Sequence, residues 1–324
     1  YERRDADIDY GTNPCSEIIL RPKQFCNLSE VVVREDDTVK TLHRKVELAT
    51  ILGTIQSCFT DFKSISKQWT RNTEEERLLG VSLTGIMDNK LLSNKTKDDL
   101  PAVLNELRLT ALKTNEKWAK IFDIEPSAAI TCVKPSGTVS QLVDAASGIH
   151  PRHNPYYIRT IRADKKDPLT QFLIDQGFPH EDAAEKPDSL TVLSFPFQSP
   201  NGAITRKEIS AIEHLTLWQI YAKYWCEHKP SITVSVKEKE WLQVANFVYN
   251  NFEDMSGVSF LPMSEHSYRQ APYQDCSEKE YKELLSKMPK EVDWKLFDDY
   301  EKEDSTTGSQ ELACVANVCE LVDL

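Results

Sequence analysis

Short apolar runs alternate with amphipathic helices along most of this chain, and this alternation constrains its fold more than any other feature of the sequence. Five runs predict buried or half-buried strands, at residues 79–83, 128–133, 156–161, 190–195 and 258–261. Apolar residues at helical spacing fill much of the remainder, at residues 101–121, 167–176, 209–226 and 238–250. Strands that alternate with helices predict an α/β fold with a mostly parallel sheet.

The N-terminal third adds a loop and another helix. Residues 13–30 hold two prolines and two cysteines, which favours an ordered loop flanked by extended segments. A long helix is expected next, capped by Asp36 or Asp37. Its apolar face would carry Leu42, Val46, Ala49, Leu52 and Ile55. Thr73 and the three glutamates after it resemble a capped acidic start, but the apolar, glycine-containing stretch that follows favours the buried strand at residues 79–83.

Composition excludes some classes of protein. The chain has 39 basic and 51 acidic residues, a formal charge of −12, which argues against a nucleic-acid binder held by phosphate contacts but not against a small anionic substrate. No apolar run approaches the roughly 18 residues of a spanning helix, and no signal peptide is present. We therefore expect a soluble, cytoplasmic protein. Because residue 1 is Tyr1 and not methionine, we expect a fragment, a processed product or half of a split protein.

The end of the chain carries a pair of cysteines. Residues 298–311 are charged and small-polar, which predicts a flexible tether leading to Cys314 and Cys319. Thiol–disulfide exchange needs an accessible thiolate, and a mobile arm provides access. The alternative is a loose terminus whose cysteines are incidental. The predicted division is a catalytic region at residues 1–294 and a tail at residues 295–324.

A second group of candidate residues lies near the start. Asn13, Cys15 and Glu17 place an amide, a thiol and a carboxylate within five residues, a combination suited to redox chemistry with general-base assistance. Cys26 follows eleven positions after Cys15. The alternative is a turn with a buried cysteine and an exposed glutamate.

A third candidate is a loop that follows a predicted strand and opens a short helix. Its glycine, hydroxyls and backbone amides suit an anion such as phosphate, although a plain capped turn would use the same residues. The residues concerned are Pro135, Ser136, Gly137, Thr138, Val139 and Ser140. His150 and His153 have the spacing of metal ligands, but a hydrogen-bonded turn is the better interpretation, and we expect no metal site.

Together these segments resemble class II ribonucleotide reductases, which depend on adenosylcobalamin. The matching segments occur in the family's order over nearly the whole chain and end with the cysteine pair of the tail. They are residues 13–18 (NPCSEI), 25–28 (FCNL), 79–85 (LGVSLTG), 134–138 (KPSGT), 146–153 (ASGIHPRH) and 256–262 (SGVSFLP).

The resemblance implies the second half of a ten-stranded α/β barrel, with a finger loop through its centre and the five predicted strands as that half. It also implies that Cys15 holds a transient thiyl radical, that Glu17 is the base at the ribose 3′ hydroxyl and that Asn13 orients the sugar hydroxyls. Cys26 would be one of two thiols that reduce the 2′ position. Cys314 and Cys319 would re-reduce the resulting disulfide with a thioredoxin-like partner. Residues 135–140 would hold the substrate phosphates, and a triphosphate is expected.

The chain also departs from the family. The first half-barrel, which carries the partner of Cys26, is absent, so the resemblance implies a separate or missing N-terminal half. Ser16 stands where glycine or alanine is usual, and a serine is expected to fit. Two alternatives are a fragment of a class I large subunit and a non-catalytic structural half. Class I enzymes use paired tyrosines late in the barrel, and residues 257–261 contain no such pair.

Overall fold

The chain divides into two compact units. The computed structural model describes residues 4–5, 7–93, 99–263 and 269–301, and the backbone of 313–315 and 318–320. One unit is formed by Tyr1–Arg152 and Pro200–Ser264, and the other by His153–Ser199 and Glu265–Leu324. Residues 302–312, where most of the expected tether falls, lie outside the described residues. The division at residue 294 stays a prediction.

The described part of the chain contains strands in both units. In chain order they are β1 (Gly11–Thr12), β2 (Ile19–Leu20), β3 (Asn27–Val32), β4 (Leu79–Thr84), β5 (Thr131–Cys132), β6 (Tyr156–Asp164), β7 (His180–Asp182), β8 (Leu190–Gln198), β9 (Ile232–Val236), β10 (Val258–Pro262), β11 (Tyr273–Asp275), β12 (Ala313–Val315) and β13 (Val318–Glu320).

Helices lie between many of these strands. They are α1 (Val39–Gln56), α2 (Lys67–Glu76), α3 (Lys90–Ser93), α4 (Leu100–Ile121), α5 (Val139–Leu142), α6 (Pro168–Asp175), α7 (Ala211–Tyr224), α8 (Trp241–Asn250) and α9 (Glu278–Lys287). Among the described residues, no helix combines the length and the apolar composition that a bilayer span requires.

The first unit contains parallel sheets and one antiparallel hairpin, formed by β1 and β2. β3, β4 and β5 pair in that order, β9 pairs with β10, and all of these pairings are parallel. A parallel bridge between Val133 and Pro230 continues the β5 side toward β9. Every residue of β4 is buried, as expected for a parallel strand covered on both faces. The predicted α/β class is therefore confirmed.

Two of the five strands expected in this parallel set are elsewhere. β6 and β8 pair antiparallel in the second unit, in a sheet of order β11-β6-β8-β7. Their partly exposed residues suit an antiparallel sheet, which can leave one face in water. The assignment of residues 156–161 and 190–195 to the parallel half is wrong. β3 and β9, which are not among the five predicted strands, form parallel pairings instead.

The core of the first unit forms where α1 covers β3 and β4 and packs in turn against α4. α1 buries Leu42, Val46 and Ala49 as expected, but Leu52 is 60% exposed. Ile55 is also exposed, so the apolar face does not continue to the end of the helix. Small residues in the last turns, such as Gly53, complete the buried face because they let the helix lie close to β4.

The cap predicted for α1 is wrong, and the acidic residues at 73–76, set aside in favour of a strand at 79–83, begin no helix. Thr38 caps α1 in place of Asp36 or Asp37, because its hydroxyl accepts from the amide of Thr41. Residues 73–76 end α2 instead of beginning a helix, since Arg77 follows in the left-handed conformation that terminates helices.

Aromatic residues pack the second unit beyond its sheet. The buried ring of Phe172 on α6 contacts Trp294, Phe297 and Tyr300, with centroids 5.2, 5.4 and 5.5 Å away. The first residues of the expected tether, at 298–300, therefore belong to this packed segment.

Candidate active site

The hairpin of β1 and β2 presents residues 13–18, here called the hairpin loop. Asn13 closes this loop with two hydrogen bonds to Ile18. The backbone amide of Asn13 donates to the Ile18 carbonyl at 3.2 Å, and the side-chain Oδ1 of Asn13 accepts from the Ile18 backbone amide at 3.0 Å. The Ser16 amide donates to the Asn13 carbonyl at 2.9 Å, and Ser16 has a φ of +63°. This tight turn places Cys15 and Glu17 on either side of a left-handed residue.

Cys15 and Glu17 meet the same lysine. Lys134 Nζ lies 3.0 Å from Glu17 Oε1 and 3.7 Å from Cys15 Sγ. Glu17 is 0% exposed, and the described residues offer its Oε2 no hydrogen-bond partner. A buried carboxylate is costly unless a cation or a donor compensates it. Lys134 satisfies one oxygen, and the other can accept a hydrogen bond from a ligand, so the alternative with an exposed glutamate is excluded.

The charge of Lys134 depends on this contact. Burial alone would lower the pKa of Lys134, but the hydrogen bond to Glu17 and the charge of that carboxylate outweigh burial and raise it. Cys15 contributes in the same direction. The ammonium is therefore fully charged at neutral pH and stands between the predicted radical thiol and the predicted base.

Cys26 lies immediately before β3, at the edge of the same site. Its side chain packs on a small cluster that includes Leu78 and Ala129. Burial raises the pKa of the Cys26 thiol well above its usual value, and the charge of Glu17 raises it further. Cys26 is therefore protonated at neutral pH, as a thiol that donates hydrogen must be. A Cβ at Gly80 would lie 2.4 Å from Leu28 Cδ2 and 3.4 Å from Cys26 Sγ, so glycine makes room here.

The loop at residues 135–140 has inward-facing and outward-facing parts. Ser136 Oγ donates to Glu30 Oε2 at 3.0 Å and accepts from the Ser140 amide at 3.0 Å. The Ser140 hydroxyl in turn donates to the Ser136 carbonyl. Both serines are buried, so their side chains hold the loop together.

The outward part consists of Gly137, Thr138 and Val139, which are exposed. Among the described residues, their backbone amides have no hydrogen-bond partner. A Cβ at Gly137 would meet nothing within 4 Å, so the space outside its backbone is open. Three adjacent unpaired amides suit an anion, as the sequence predicts, although only these three residues of the predicted six face outward.

Sequence reasoning missed two charged residues of this site. Lys134 begins the KPSGT motif, whose pattern alone predicts no role for it, and Glu30 lies on β3 outside every predicted site. Burial raises the pKa of the Glu30 carboxyl, an effect that hydrogen bonds from Ser136 and Thr84 and the charge of Lys134 oppose. Its Oε1 is buried without a partner among the described residues. A charged residue within an otherwise strand-like run was the signal that could have identified Glu30.

His150 has a structural role. Its Nδ1 lies 2.9 Å from the Ser147 carbonyl, and its Nε2 accepts from the Thr233 amide at 2.9 Å. His153 instead pairs with Asp275, with 2.8 Å between Nε2 and Oδ1. Across the part of the chain that is described, no group of three or more histidine, cysteine or acidic residues is arranged to hold a metal ion.

The tail cysteines are placed by backbone pairing. β12 and β13 are antiparallel, and their register sets Cys314 opposite Cys319. Residues directly opposite each other on adjacent antiparallel strands have Cα atoms about 4.5–5.5 Å apart, within the range of a disulfide.

Comparison with curated proteins identifies relatives over most of the chain. It is 31% identical over 309 residues to a probable adenosylcobalamin-dependent ribonucleoside-triphosphate reductase of Dictyostelium discoideum, covering 89% of this chain and 38% of that protein. The Euglena gracilis adenosylcobalamin-dependent ribonucleoside-triphosphate reductase is 27% identical over 301 residues, with 90% and 40% covered. The chain spans about two fifths of the length of these relatives. No family model matches it.

Solved structures share the fold. A crystal structure of a B-12 dependent (class II) ribonucleotide reductase aligns with a TM-score of 0.77 at 23% identity, covering 92% of this chain and 44% of that one. The class Id ribonucleotide reductase alpha subunit of Actinobacillus ureae aligns with a TM-score of 0.54 at 17% identity, with 78% and 53% covered. The fold is thus that of ribonucleotide reductases. More narrowly, the curated relatives are named adenosylcobalamin-dependent ribonucleoside-triphosphate reductases, so the resemblance predicted from the motifs is confirmed as a similarity to those proteins.

Proposed function

We propose that this chain supplies the catalytic region of an adenosylcobalamin-dependent ribonucleoside-triphosphate reductase. The observation that carries the proposal is the hairpin loop, where a half-buried thiol, Cys15, lies two residues from the fully buried carboxylate of Glu17. The names of the relatives supply the substrate class and the cofactor. Because the chain spans about two fifths of those relatives, the complete activity requires the remainder of such an enzyme.

The architecture supports a finer assignment. The parallel strands β3, β4, β5, β9 and β10 form the second half of a ten-stranded barrel, and the hairpin loop is its finger loop. Gly257, immediately before β10, lies against this loop: a Cβ there would approach Ser16 O to 3.2 Å. Contacts from β10 and from Lys134 on the β5 side favour a loop held among the strands.

The chemistry assigned to each residue follows from its surroundings. Cys15 Sγ abstracts the ribose 3′ hydrogen atom as a thiyl radical and returns it later. Glu17 Oε2, buried and without a partner among the described residues, accepts the proton of the 3′ hydroxyl. Asn13 donates from Nδ2 to a sugar hydroxyl, since its Oδ1 is occupied within the loop.

Reduction of the 2′ carbon consumes two thiols. The 2′ hydroxyl leaves as water, and Cys26 and a thiol of the N-terminal half supply two electrons and become a disulfide. Cys314 and Cys319 then reduce this disulfide by exchange and are themselves reduced by a thioredoxin-like protein. The backbone pairing of Cys314 with Cys319 supports this pair, because the oxidised tail must close a disulfide.

The pattern of exposure in the hairpin loop suits a cofactor that must reach the thiol of Cys15 but not the carboxylate of Glu17. Cys15 and Pro14 are partly or fully exposed, whereas Glu17 is buried. When bound, adenosylcobalamin supplies the radical that Cys15 receives. Pro14 and Cys15 are the residues of this chain that would face it. The remaining task of the protein is to position the substrate and exclude water.

The substrate triphosphate is assigned to residues 135–140. The exposed amides of Gly137, Thr138 and Val139 donate to phosphate oxygens, and the Thr138 hydroxyl is available beside them. The serine pair behind them, tied to Glu30, keeps those amides pointing outward.

The test is reconstitution with the N-terminal half of a related enzyme. The chain alone, the mixture with the N-terminal half, and the mixture with adenosylcobalamin and dithiothreitol are assayed for deoxyribonucleoside triphosphate. We expect product only in the last mixture. Product that requires a metal-containing small subunit instead would establish the class I alternative. Assembly of the two halves without product under either condition would make this chain a structural half.

A further inference from the structure

We propose that Lys134 is a catalytic cation of this site, which holds the Glu17 carboxylate as an anion and donates a hydrogen bond to the sulfur of Cys15. This inference deepens the proposed function, on which it rests. It gives a role to a residue whose ammonium touches both groups that are assigned to the chemistry.

The contact with Glu17 is the stronger of the two. The N–O distance is 3.0 Å, and the carboxylate is completely buried. Among the described residues, Lys134 is the cation that compensates this charge, because Glu17 forms no other salt bridge there. A single lysine on one oxygen leaves Oε2 available to the substrate and fixes the plane of the carboxylate.

The contact with Cys15 orients the sulfur. An ammonium donor 3.7 Å from Sγ uses a sulfur lone pair, so the S–H bond must point away from Lys134. The ammonium also lies beside the sulfur atom that an alkylating reagent must reach, so its removal changes the surroundings of the reacting atom. The reactivity of Cys15 therefore reports on Lys134 without any substrate or cofactor.

The backbone of Lys134 is anchored on both sides. Its amide donates to Ser82 Oγ on β4 at 2.9 Å. Its carbonyl lies beneath Gly148, where φ is +54° and a Cβ would come within 2.5 Å of that oxygen. Two independent contacts thus fix the point from which the side chain reaches the hairpin loop.

Other titratable groups also face this centre. Glu30 from β3 is attracted by the charge of Lys134, and the thiols of Cys26 and Cys132 are affected by the charge of Glu17. Burial raises the pKa of Cys26 and of Cys132 well above the usual value. Both thiols therefore stay neutral while Lys134 and Glu17 carry opposite charges.

The first experiment measures alkylation of Cys15 by iodoacetamide in the 324-residue chain, read by peptide mass spectrometry between pH 7 and 9. Lys134→Met keeps the length of the side chain and removes its charge. We expect it to slow the labelling of Cys15 by about three- to tenfold. Lys134→Arg should retain most of the rate. Lys113→Met, which removes one exposed lysine from α4, should retain the full rate.

If Lys134→Met alone unfolds the chain, the same comparison is made in the Glu17→Gln variant. In that variant the buried carboxylate that Lys134→Met would leave without a partner has been removed. We expect Cys15 to be labelled faster in Glu17→Gln than in wild type and slower again in Glu17→Gln/Lys134→Met. Equal rates with and without Lys134 in a folded background would overturn the contact with sulfur.

The contact with Glu17 is tested in the reconstituted enzyme through its pH profile. Without Lys134, a buried carboxylate needs a higher pH to ionise. The rising limb of kcat/KM in Lys134→Met should therefore move up by about one pH unit or more, and Lys134→Arg should restore it. An unshifted limb would overturn the role in ionising Glu17. If wild type forms no product but the labelling results hold, the proposed function fails and the lysine contact stands.

Discussion

Cys15 differs from serine by one atom, and that atom decides whether the residue can hold a radical. The O–H bond of serine is much stronger than the S–H bond of cysteine, so Cys15→Ser should abolish nucleotide reduction in the reconstituted enzyme. Because the two side chains are close in size, nucleotide binding should stay within about twofold of wild type. Turnover and equilibrium binding are measured on the same preparation. Substantial turnover by the serine variant would remove Cys15 from the mechanism.

Gly137 tests the phosphate loop without disturbing the fold. Its φ is not in the left-handed region, and a Cβ would meet nothing within 4 Å, so Gly137→Val should fold normally. The branched side chain would stand where phosphate must approach the amides. We expect KM for the nucleotide to rise about tenfold, equivalent to about 1.4 kcal/mol, with a smaller change in kcat. An unchanged KM in a folded variant would leave the loop as a plain capped turn.

Ser16 carries backbone strain that sequence reasoning did not anticipate. Serine was expected to fit, but its φ of +63° is a conformation that glycine adopts without steric cost. Ser16→Gly should therefore stabilise the chain by about 0.5–1 kcal/mol in urea unfolding, after allowance for the greater freedom of glycine in the unfolded chain. Ser16→Ala keeps the Cβ and should leave stability nearly unchanged. A glycine variant no more stable than the alanine variant would contradict this account.

At the scale of elements, the sequence predicted helices better than strands. The helix expected at residues 101–121 spans Leu100–Ile121, and the one expected at 167–176 spans Pro168–Asp175 with Asp167 as its cap. Caps and apolar faces at helical spacing are local, so a single sequence reveals them. Strand pairing is not local. β6 and β8 were recognised as strands, yet their sheet and direction depend on partners distant in the chain.

The same limit applies to the site. Asn13, Cys15, Glu17 and Cys26 were predicted because they lie in short motifs. Lys134 meets Glu17 only because β5 pairs beside β4. Glu30 meets Ser136 only because β3 pairs on the other side of β4. Residues 117 and 106 positions apart in sequence meet there, which no local pattern indicates.

The two flanks of the hairpin loop are held by one buried carboxylate on α2. Glu76 is 1% exposed and accepts from Arg4 Nη2 at 2.9 Å, before β1, and from Arg21 Nη2 at 2.9 Å, after β2. Glu76→Ala removes the carboxylate partner of two partly buried guanidinium groups. It should lower the free energy of unfolding in urea by about 3–5 kcal/mol. Glu75→Ala removes a half-exposed partner of Arg21 and should cost less than about 1 kcal/mol. Equal losses would show that Glu76 does not hold the flanks.

The pH dependence of this contact has a defined sign. Burial alone would raise the pKa of Glu76, but hydrogen bonds from Arg4 and Gln24 and the charges of both arginines outweigh it and lower the pKa. A carboxyl whose pKa is lowered in the folded state stabilises the protein at pH values above its ordinary, unfolded-state pKa. That contribution is lost as the pH falls through the pKa of the folded state. The difference in unfolding free energy between wild type and Glu76→Ala should therefore shrink below about pH 4.5.

At the scale of the whole molecule, the role proposed for the tail is to carry electrons from a thioredoxin-like protein to the proposed active-site disulfide. Cys314 and Cys319 would do this by thiol–disulfide exchange. The double variant Cys314→Ser/Cys319→Ser should therefore lose multiple turnovers with thioredoxin. It should still complete about one turnover from the prereduced state, since Cys26 and its proposed partner thiol are already reduced.

Turnover with dithiothreitol distinguishes a defect in the tail cysteines from a defect in the catalytic site. As a small dithiol it can reach the active-site disulfide directly, so it should restore a substantial part of multiple turnover in the double variant. The matched control is Cys276→Ser, which removes another partly exposed thiol and should leave turnover with both reductants unchanged. Product per enzyme is measured with each reductant side by side. Full turnover of the double variant with thioredoxin would show that the tail cysteines are incidental, and a failure of the prereduced burst would place the defect in the catalytic site itself.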